Sequence, residues 1–202
     1  MAEGDIRAEL LAAGERVFAS RGYAAATVDD VVRSSATSRA SFYRYFTGKE
    51  QLFEELSRAC FREMRDAIRA FAAGGTAGGR PSPGRSEITL LLTGYQALND
   101  RYGGVIRAWT ELTGPATSPM HDRGMAAVRA MFDETSAVLE RAGWGRAKGV
   151  SPEELRTRAA LLFLLIERSS FYVSNRVSRI DPEKLPPTLA TLVERAYIEA
   201  PP

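Results

Sequence analysis

The spacing of apolar residues divides this chain into a succession of helices. Within Asp5–Ser20, Ile6, Leu10, Ala13 and Val17 recur at helical intervals, widened by Leu11 and Phe18, with Asp5 as the expected cap. Gly22 stands where a helix ends on a left-handed residue, and Tyr23 is placed to cover the end of a small core. Val28, Val31 and Val32 make a shorter stripe that opens on Thr27, with Asp30 at capping-box distance. Ser34 to Thr37 is too small and polar to extend it, so the chain turns. Ser38 then caps a second short helix, Arg39–Tyr45, in which Ala40, Phe42, Tyr43 and Phe46 alternate with Arg39, Ser41, Arg44 and Tyr45. Helices this short need a third to pack on.

From Thr47 another capping-box spacing, Thr47 to Glu50, opens a long helix reaching about Phe71, with Leu52, Phe53, Leu56, Cys60, Met64 and Ile68 on one face. Gly74–Arg85, rich in glycine and proline, reads as a loop. Helices follow over Ser86–Arg101, Gly103–Leu112 and Pro119–Arg141, with a break at Gly143–Gly149. Ser151–Pro152–Glu153–Glu154 is a strong helix start for a segment running to about Arg176. Its centre, Ala159–Ile166, is apolar all round, which in a soluble helix implies burial on opposite faces. A final helix is expected over Pro187–Ile198. The fold class is therefore all-α, with about nine helices.

With 202 residues and 45% hydrophobic content, the chain can hold one large or two modest domains. A net charge of +2 makes it no polycation, so any affinity for nucleic acid must be local. Such a patch exists: between residues 21 and 49, Arg21, Arg33, Arg39, Arg44 and Lys49 stand against only Asp29 and Asp30. Cys60 is the sole cysteine and His121 the sole histidine. No intramolecular disulfide, metal site or cofactor is expected, and Cys60 reads as a buried helix residue. No HExxH, nucleophile elbow, P-loop or dinucleotide fingerprint occurs, which argues against an enzyme. No apolar run reaches membrane-spanning length and no signal-peptide pattern is present, so a cytoplasmic protein is expected.

The second short helix carries side chains suited to DNA. Arginine reads guanine edges, while hydroxyls and helix N-termini hold phosphates. Residues from about Ile6 to Phe53 resemble the DNA-binding domain of the TetR family of one-component bacterial repressors. The resemblance rests on Phe18–Ala–Ser–Arg–Gly22–Tyr23, Thr27–Val28–Asp–Asp–Val31, Ser38–Arg39–Ala–Ser41–Phe42–Tyr43–Arg–Tyr45–Phe46, and Lys49–Glu50–Gln–Leu52–Phe53. The sequence departs from the family pattern at Ala36 and Ala40, where glycine, or a small residue, is usual. Ala36 must then either accept φ > 0 or alter the turn.

The resemblance implies an N-terminal helix-turn-helix domain, residues 1–50, joined by the long helix to a ligand-binding and dimerisation domain, residues 51–202. It implies a homodimer on double-stranded operator DNA, released by a small apolar or amphipathic effector. The alternative is a constitutive DNA-binding protein without an effector. Arg39 is the expected base reader, with Ser41 beside it and Arg44 in support. Thr27, Ser38, Tyr43, Tyr45 and Lys49 are expected to hold phosphates. An effector pocket is expected to draw on Tyr95, Trp109, Glu111, Met125, Phe132, Phe163, Glu167, Phe171 and Asn175, a mixture of aromatic, flexible apolar and isolated polar residues. His121 is a further polar residue in apolar helical context. Leu162, Ile166, Leu189, Leu192 and Val193, on the last two helices, are the expected dimer contacts.

Overall fold

The computed structural model describes residues 3–77, 85–112, 119–141, 150–174 and 179–195, and among these all regular structure is helical. The helices are α1 (Glu3–Arg21), α2 (Val28–Ser34), α3 (Arg39–Tyr45), α4 (Lys49–Ala77), α5 (Arg85–Leu112), α6 (Pro119–Arg141), α7 (Pro152–Ser174) and α8 (Leu185–Val193). Nine expected helices become eight because Ser86–Arg101 and Gly103–Leu112 are one element, kinked where Tyr102 leaves helical geometry at φ −119°, ψ 22°. Three starts also differ from expectation. α1 begins at Glu3, so Asp5 lies in its first turn, where a carboxylate suits the helix dipole, rather than at the cap. At α4 it is Gln51, one residue beyond Glu50, whose side-chain oxygen accepts from both the Thr47 N–H (2.7 Å) and the Thr47 hydroxyl (3.1 Å). α8 begins at Leu185, ahead of Pro187, because first-turn prolines give up only N–H groups that a helix leaves unpaired. α4 also continues past Phe71 to Ala77, so the expected loop loses its first four residues to helix. Residues 78–84 of that loop lie outside the described residues.

Internal contacts group the chain into two units that differ from a break after residue 50. The first is Met1–Arg62 with Asp100–Gly124; the second is Glu63–Asn99 with Met125–Pro202. α4 and α5 each supply both.

In the first unit, Leu10, Ala13, Val17 and Phe18 of α1 are buried together with Val31, Phe42, Phe46, Leu52 and Phe53. The rings of Phe18, Tyr23 and Phe53 form a triangle with centroids 4.6–5.7 Å apart. Each such contact adds roughly 0.5–1.5 kcal/mol to simple burial. Phe53 also meets Trp109 at 5.2 Å, and the Trp109 Nε1–H donates to Ser57 Oγ (3.1 Å). Two glycines permit helices to touch. A Cβ on Gly14 would lie 2.7 Å from Leu52 Cδ2, and one on Gly104 would lie 2.4 Å from the backbone nitrogen of Ala19. Around Gly104, the Arg107 guanidinium donates to the carbonyls of Phe18 and Ala19 at the end of α1, and Glu15 Oε1 accepts from the Gly104 N–H (2.9 Å).

In the second unit, Met64 and Ile68 of α4, Tyr95 of α5, Met131 of α6, Leu162 and Ile166 of α7, and Leu189 and Val193 of α8 are buried. Ser151 caps α7 by accepting from the Glu154 N–H (3.1 Å), as its sequence predicts.

Candidate nucleic-acid interface

α2, the turn and α3 are held in place by contacts that use up several of the polar side chains expected to bind DNA. Thr27 forms the predicted capping box with Asp30: its hydroxyl accepts from the Asp30 N–H (3.2 Å) and donates to Asp30 Oδ2 (2.7 Å). The Thr27 N–H donates to that same carboxylate oxygen (3.1 Å). Asp30, buried, also pairs with Arg21 (3.3 Å) and Arg33 (3.1 Å). The Thr27 hydroxyl bonds hold its carboxyl below the ordinary aspartate range. Part of the local positive charge counted in the sequence is thus neutralised inside the fold, and the Thr27 hydroxyl is already committed to its cap.

The turn takes the first of its two options: Ala36 adopts φ 50°. Around it the Ser35 N–H donates to the Val31 carbonyl (2.9 Å), and the hydroxyls of Ser35 and Thr37 share a hydrogen bond of 2.8 Å. The αL conformation without glycine costs roughly 1–2 kcal/mol, offset by this closed network. Ser38 then caps α3, its oxygen accepting from the Ser41 N–H (3.0 Å) while the two hydroxyls lie 2.9 Å apart.

α3 is anchored by burial on one side. Phe42 and Phe46 are buried, 5.6 Å apart centre to centre, and the Arg7 guanidinium lies 5.7 Å over the Phe46 ring. The opposite side faces solvent. Ser38, Arg39, Tyr43 and Arg44 are exposed, with Tyr43 standing edge-on against Phe42 at 5.4 Å. Ser41 and Tyr45 are half-buried, and Arg44 lies 5.8 Å over the Tyr45 ring. An exposed strip carrying two arginines and a phenol, clamped from behind by two phenylalanines, is the geometry a reading helix requires.

Arg39 is not loose. Its Nε and Nη2 donate to the two carboxylate oxygens of Asp29 on α2. That contact lowers the Asp29 pKa and raises that of Arg39. The sequence reading counted Asp29 only as an opposing charge; an (i, i+10) pairing across a turn leaves no periodic trace.

Lys49 corrects the sequence expectation. Its ammonium donates to the carbonyls of Tyr23 (3.0 Å), Ala24 (3.3 Å) and Ala26 (2.9 Å), and sits 4.8 Å over the Tyr23 ring. An ammonium has three hydrogens, and three carbonyls take them. Lys49 thus ties down the loop between α1 and α2.

The expected effector pocket is largely dispersed. The second unit holds an apolar cavity of about 30 Å³, lined by Met64, Ala67, Ile68, Leu91, Tyr95, Leu98, Thr135, Ala159, Leu162, Phe163 and Ile166. Among the expected residues whose side chains are described, Tyr95 and Phe163 reach it. Trp109 belongs to the first unit, against Phe53 and Phe61. Phe132 meets Phe163 edge-on at 5.3 Å without lining the cavity. Met125 and Phe171 are half-buried elsewhere, Phe171 against Tyr172 and Arg168. Glu167 is half-buried beside Arg168 (3.6 Å), and desolvation raises its pKa. The side chains of Glu111 and His121, and Asn175 altogether, lie outside the described residues.

The dimer contacts are corrected too. Leu162, Ile166, Leu189 and Val193 are buried within the single chain, so they cannot form a surface; only Leu192 is exposed. The exposed apolar side of α7 is instead Leu161, Leu164, Leu165 and Tyr172, shifted around the helix from the expected positions. An all-apolar run gives no phase, so periodicity could not tell inner from outer leucines. Cys60 is buried and in no disulfide. Among the described residues no helix is long and apolar enough to cross a membrane.

Residues 10–56 match the family described as bacterial regulatory proteins, tetR family. Over 75 residues the chain is 31% identical to the HTH-type transcriptional repressor DhaR of a Mycobacterium species, covering 33% of this chain and 38% of that one. Over 52 residues it is 31% identical to the negative transcriptional regulator of the biofilm operon icaADBC, IcaR, of Staphylococcus aureus, covering 26% and 28%. The match therefore spans well under half the length of these relatives. The whole fold resembles a transcriptional regulator from Aquifex aeolicus (TM-score 0.70, 12% identity, 95% of this chain and 99% of that one). It likewise resembles the TetR family regulator PfmR from Thermus thermophilus (TM-score 0.67, 16% identity, 95% and 99%).

Proposed function

We propose that this chain, which belongs to the TetR family, is a DNA-binding transcriptional repressor that works as a homodimer. The observation that carries the reading is the exposed strip of α3, Arg39, Tyr43 and Arg44, braced by buried Phe42 and Phe46. A single reading helix contacts too few base pairs for useful selectivity. Two related by a twofold axis, in successive major grooves about 34–36 Å apart, read a near-palindromic operator. For self-association the chain offers Leu161, Leu164, Leu165 and Tyr172 of α7 and Leu192 of α8, large apolar side chains left in water by the single chain.

Arg39 is the base reader in this proposal. Ser38 and Tyr43 supply hydroxyls for phosphates, Ser41 and Arg44 flank the read bases, and Lys49 contributes by fixing the loop before α2. Selection of bound DNA from a random pool, followed by titration of the enriched site, tests the reading. An inverted repeat is expected, and Arg39→Ala should lose roughly 1–3 kcal/mol on it while relaxing sequence preference. Retention of full affinity by Arg39→Ala, or failure of the wild-type protein to bind any duplex at low salt, would overturn it.

Effector control is the second element. The described cavity, about 30 Å³, falls far short of the roughly 300–1,000 Å³ of an ordinary ligand site. An apolar effector must therefore part α4, α5 and α7 to enter. If the parted arrangement favours a different spacing of the two reading helices, binding releases DNA, with α4 and α5 as the elements shared by both units. The same small cavity favours the alternative of a constitutive DNA-binding protein. Operator release by apolar small molecules in a binding titration separates the two.

A further inference from the structure

Arg39 has two forks through which its guanidinium can make paired hydrogen bonds. The side fork is Nε with one Nη2 hydrogen. The end fork is Nη1 with the other Nη2 hydrogen. Asp29 occupies the side fork with both carboxylate oxygens. The end fork is left over, on a side chain that is 67% exposed. Asp29 itself is 45% exposed at its side chain and sits in the first turn of α2, near Arg33 and Asp30. Tyr43 faces Arg39 from its own helix. Two facts about arginine give this arrangement a consequence. Its long side chain carries much rotamer entropy, and its best base contact is a paired one, to O6 and N7 of guanine. A guanidinium free to rotate must surrender that entropy on meeting a base. One already held in plane by a carboxylate has surrendered it beforehand.

We infer that Asp29 is a positioning residue for sequence recognition: it holds the Arg39 guanidinium by its side fork and so aims the end fork at a guanine. The inference rests on the reading of α3 as a DNA-reading helix. It assigns Asp29 two opposed effects. Towards any duplex its negative charge is repulsive, because a duplex is itself densely negative. Towards the preferred site it is favourable, because it prepares the one contact that reads a base. Asp29 thereby lowers affinity for random DNA while supporting affinity for the selected site, and the ratio of the two carries its contribution.

The test uses the full-length chain, the DNA site it selects from a random pool and a scrambled duplex of equal length. Far-UV circular dichroism melts check that each variant is folded. Asp29→Asn is expected to bind scrambled DNA more tightly than wild type, with no matching gain on the selected site. The ratio of selected to scrambled affinity then falls by about three- to fivefold, the range of a well-formed exposed ion pair. Asp29→Glu, which keeps the charge and can still grip the side fork, should restore most of the ratio. In an Arg39→Ala background, Asp29→Asn should change both affinities by the same factor, since only the general charge effect remains. An unchanged ratio in Asp29→Asn overturns the inference alone, leaving the DNA-binding reading intact. So does an equal loss of ratio with Arg39 absent, which would make Asp29 a reader in its own right. Wild-type protein that binds neither duplex overturns both.

Discussion

Replacing Glu15 by glutamine should shift the stability of the first unit in favour of the variant, relative to the wild type, as pH rises from 5 to 8. Glu15 Oε1 accepts the Gly104 N–H, but Oε2 is buried with no hydrogen-bond partner. Desolvation by burial raises its pKa from 4.5 to about 7, against the smaller lowering effects of the Gly104 and Val105 N–H groups and the Arg107 charge. A carboxyl whose folded pKa lies above its unfolded one keeps its proton longer when folded. Stability is therefore greatest at low pH, declines as pH rises from about 4.5 towards 7, and is flat beyond. A shift of that size corresponds to about 3 kcal/mol at pH 8, at 1.36 kcal/mol per unit. Glutamine keeps an acceptor for the Gly104 N–H and has no charge to lose. It does place an amide NH2 where Oε2 was, a penalty common to both pH values. The decisive quantity is therefore the change between pH 5 and pH 8, which should favour the variant by up to about 3 kcal/mol. Urea titrations at fixed protein concentration, followed by Trp109 fluorescence in a Trp144→Phe background, measure it. Parallel pH profiles for wild type and Glu15→Gln would refute the buried-carboxyl argument.

Two further outcomes follow from the same kind of reasoning. Ala36→Gly relieves the positive φ at the turn, at the expense of a more flexible unfolded chain, and should raise stability by up to roughly 1 kcal/mol in a urea titration. A loss of stability would mean that the Ala36 methyl is needed where it lies. Lys49→Ala leaves the carbonyls of Tyr23, Ala24 and Ala26 without their shared donor and should cost roughly 1–3 kcal/mol of stability. Its operator affinity should recover when measured well below the melting temperature; a pure affinity loss without destabilisation would restore Lys49 to phosphate binding.

The helices α1 to α3 were legible in the sequence because their signals are local. Caps at Thr27 and Ser38 set the starts of α2 and α3 to the residue, while α2 runs one residue beyond its expected end, through Ser34. The aromatic run Phe42–Phe46 separated buried anchors from exposed polar residues for the same reason. What failed was everything decided by contacts distant in sequence. Lys49 looked like a cation available to DNA until three carbonyls more than twenty residues away claimed it. Trp109 looked like pocket lining because nothing in its own helix reveals that it packs on Phe53. In α7, leucines on every side hid which of them the chain would bury, so Leu161, Leu164 and Leu165 were passed over for Leu162 and Ile166. Gly14 gave no sign of its closeness to Leu52.

The meeting of Gly104 with the end of α1 also constrains how force can travel. Backbone lies against backbone there, with Glu15 gripping one side and Arg107 the other. Sliding of α5 along its axis that brought Val105 to this point would drive its side chain into space that only a bare Cα can occupy. Slippage is thus blocked, and the junction behaves as a pivot. Displacement of α5 beyond its kink must carry the last turn of α1 with it, and with that turn the Gly22–Ala26 loop on which α2 begins.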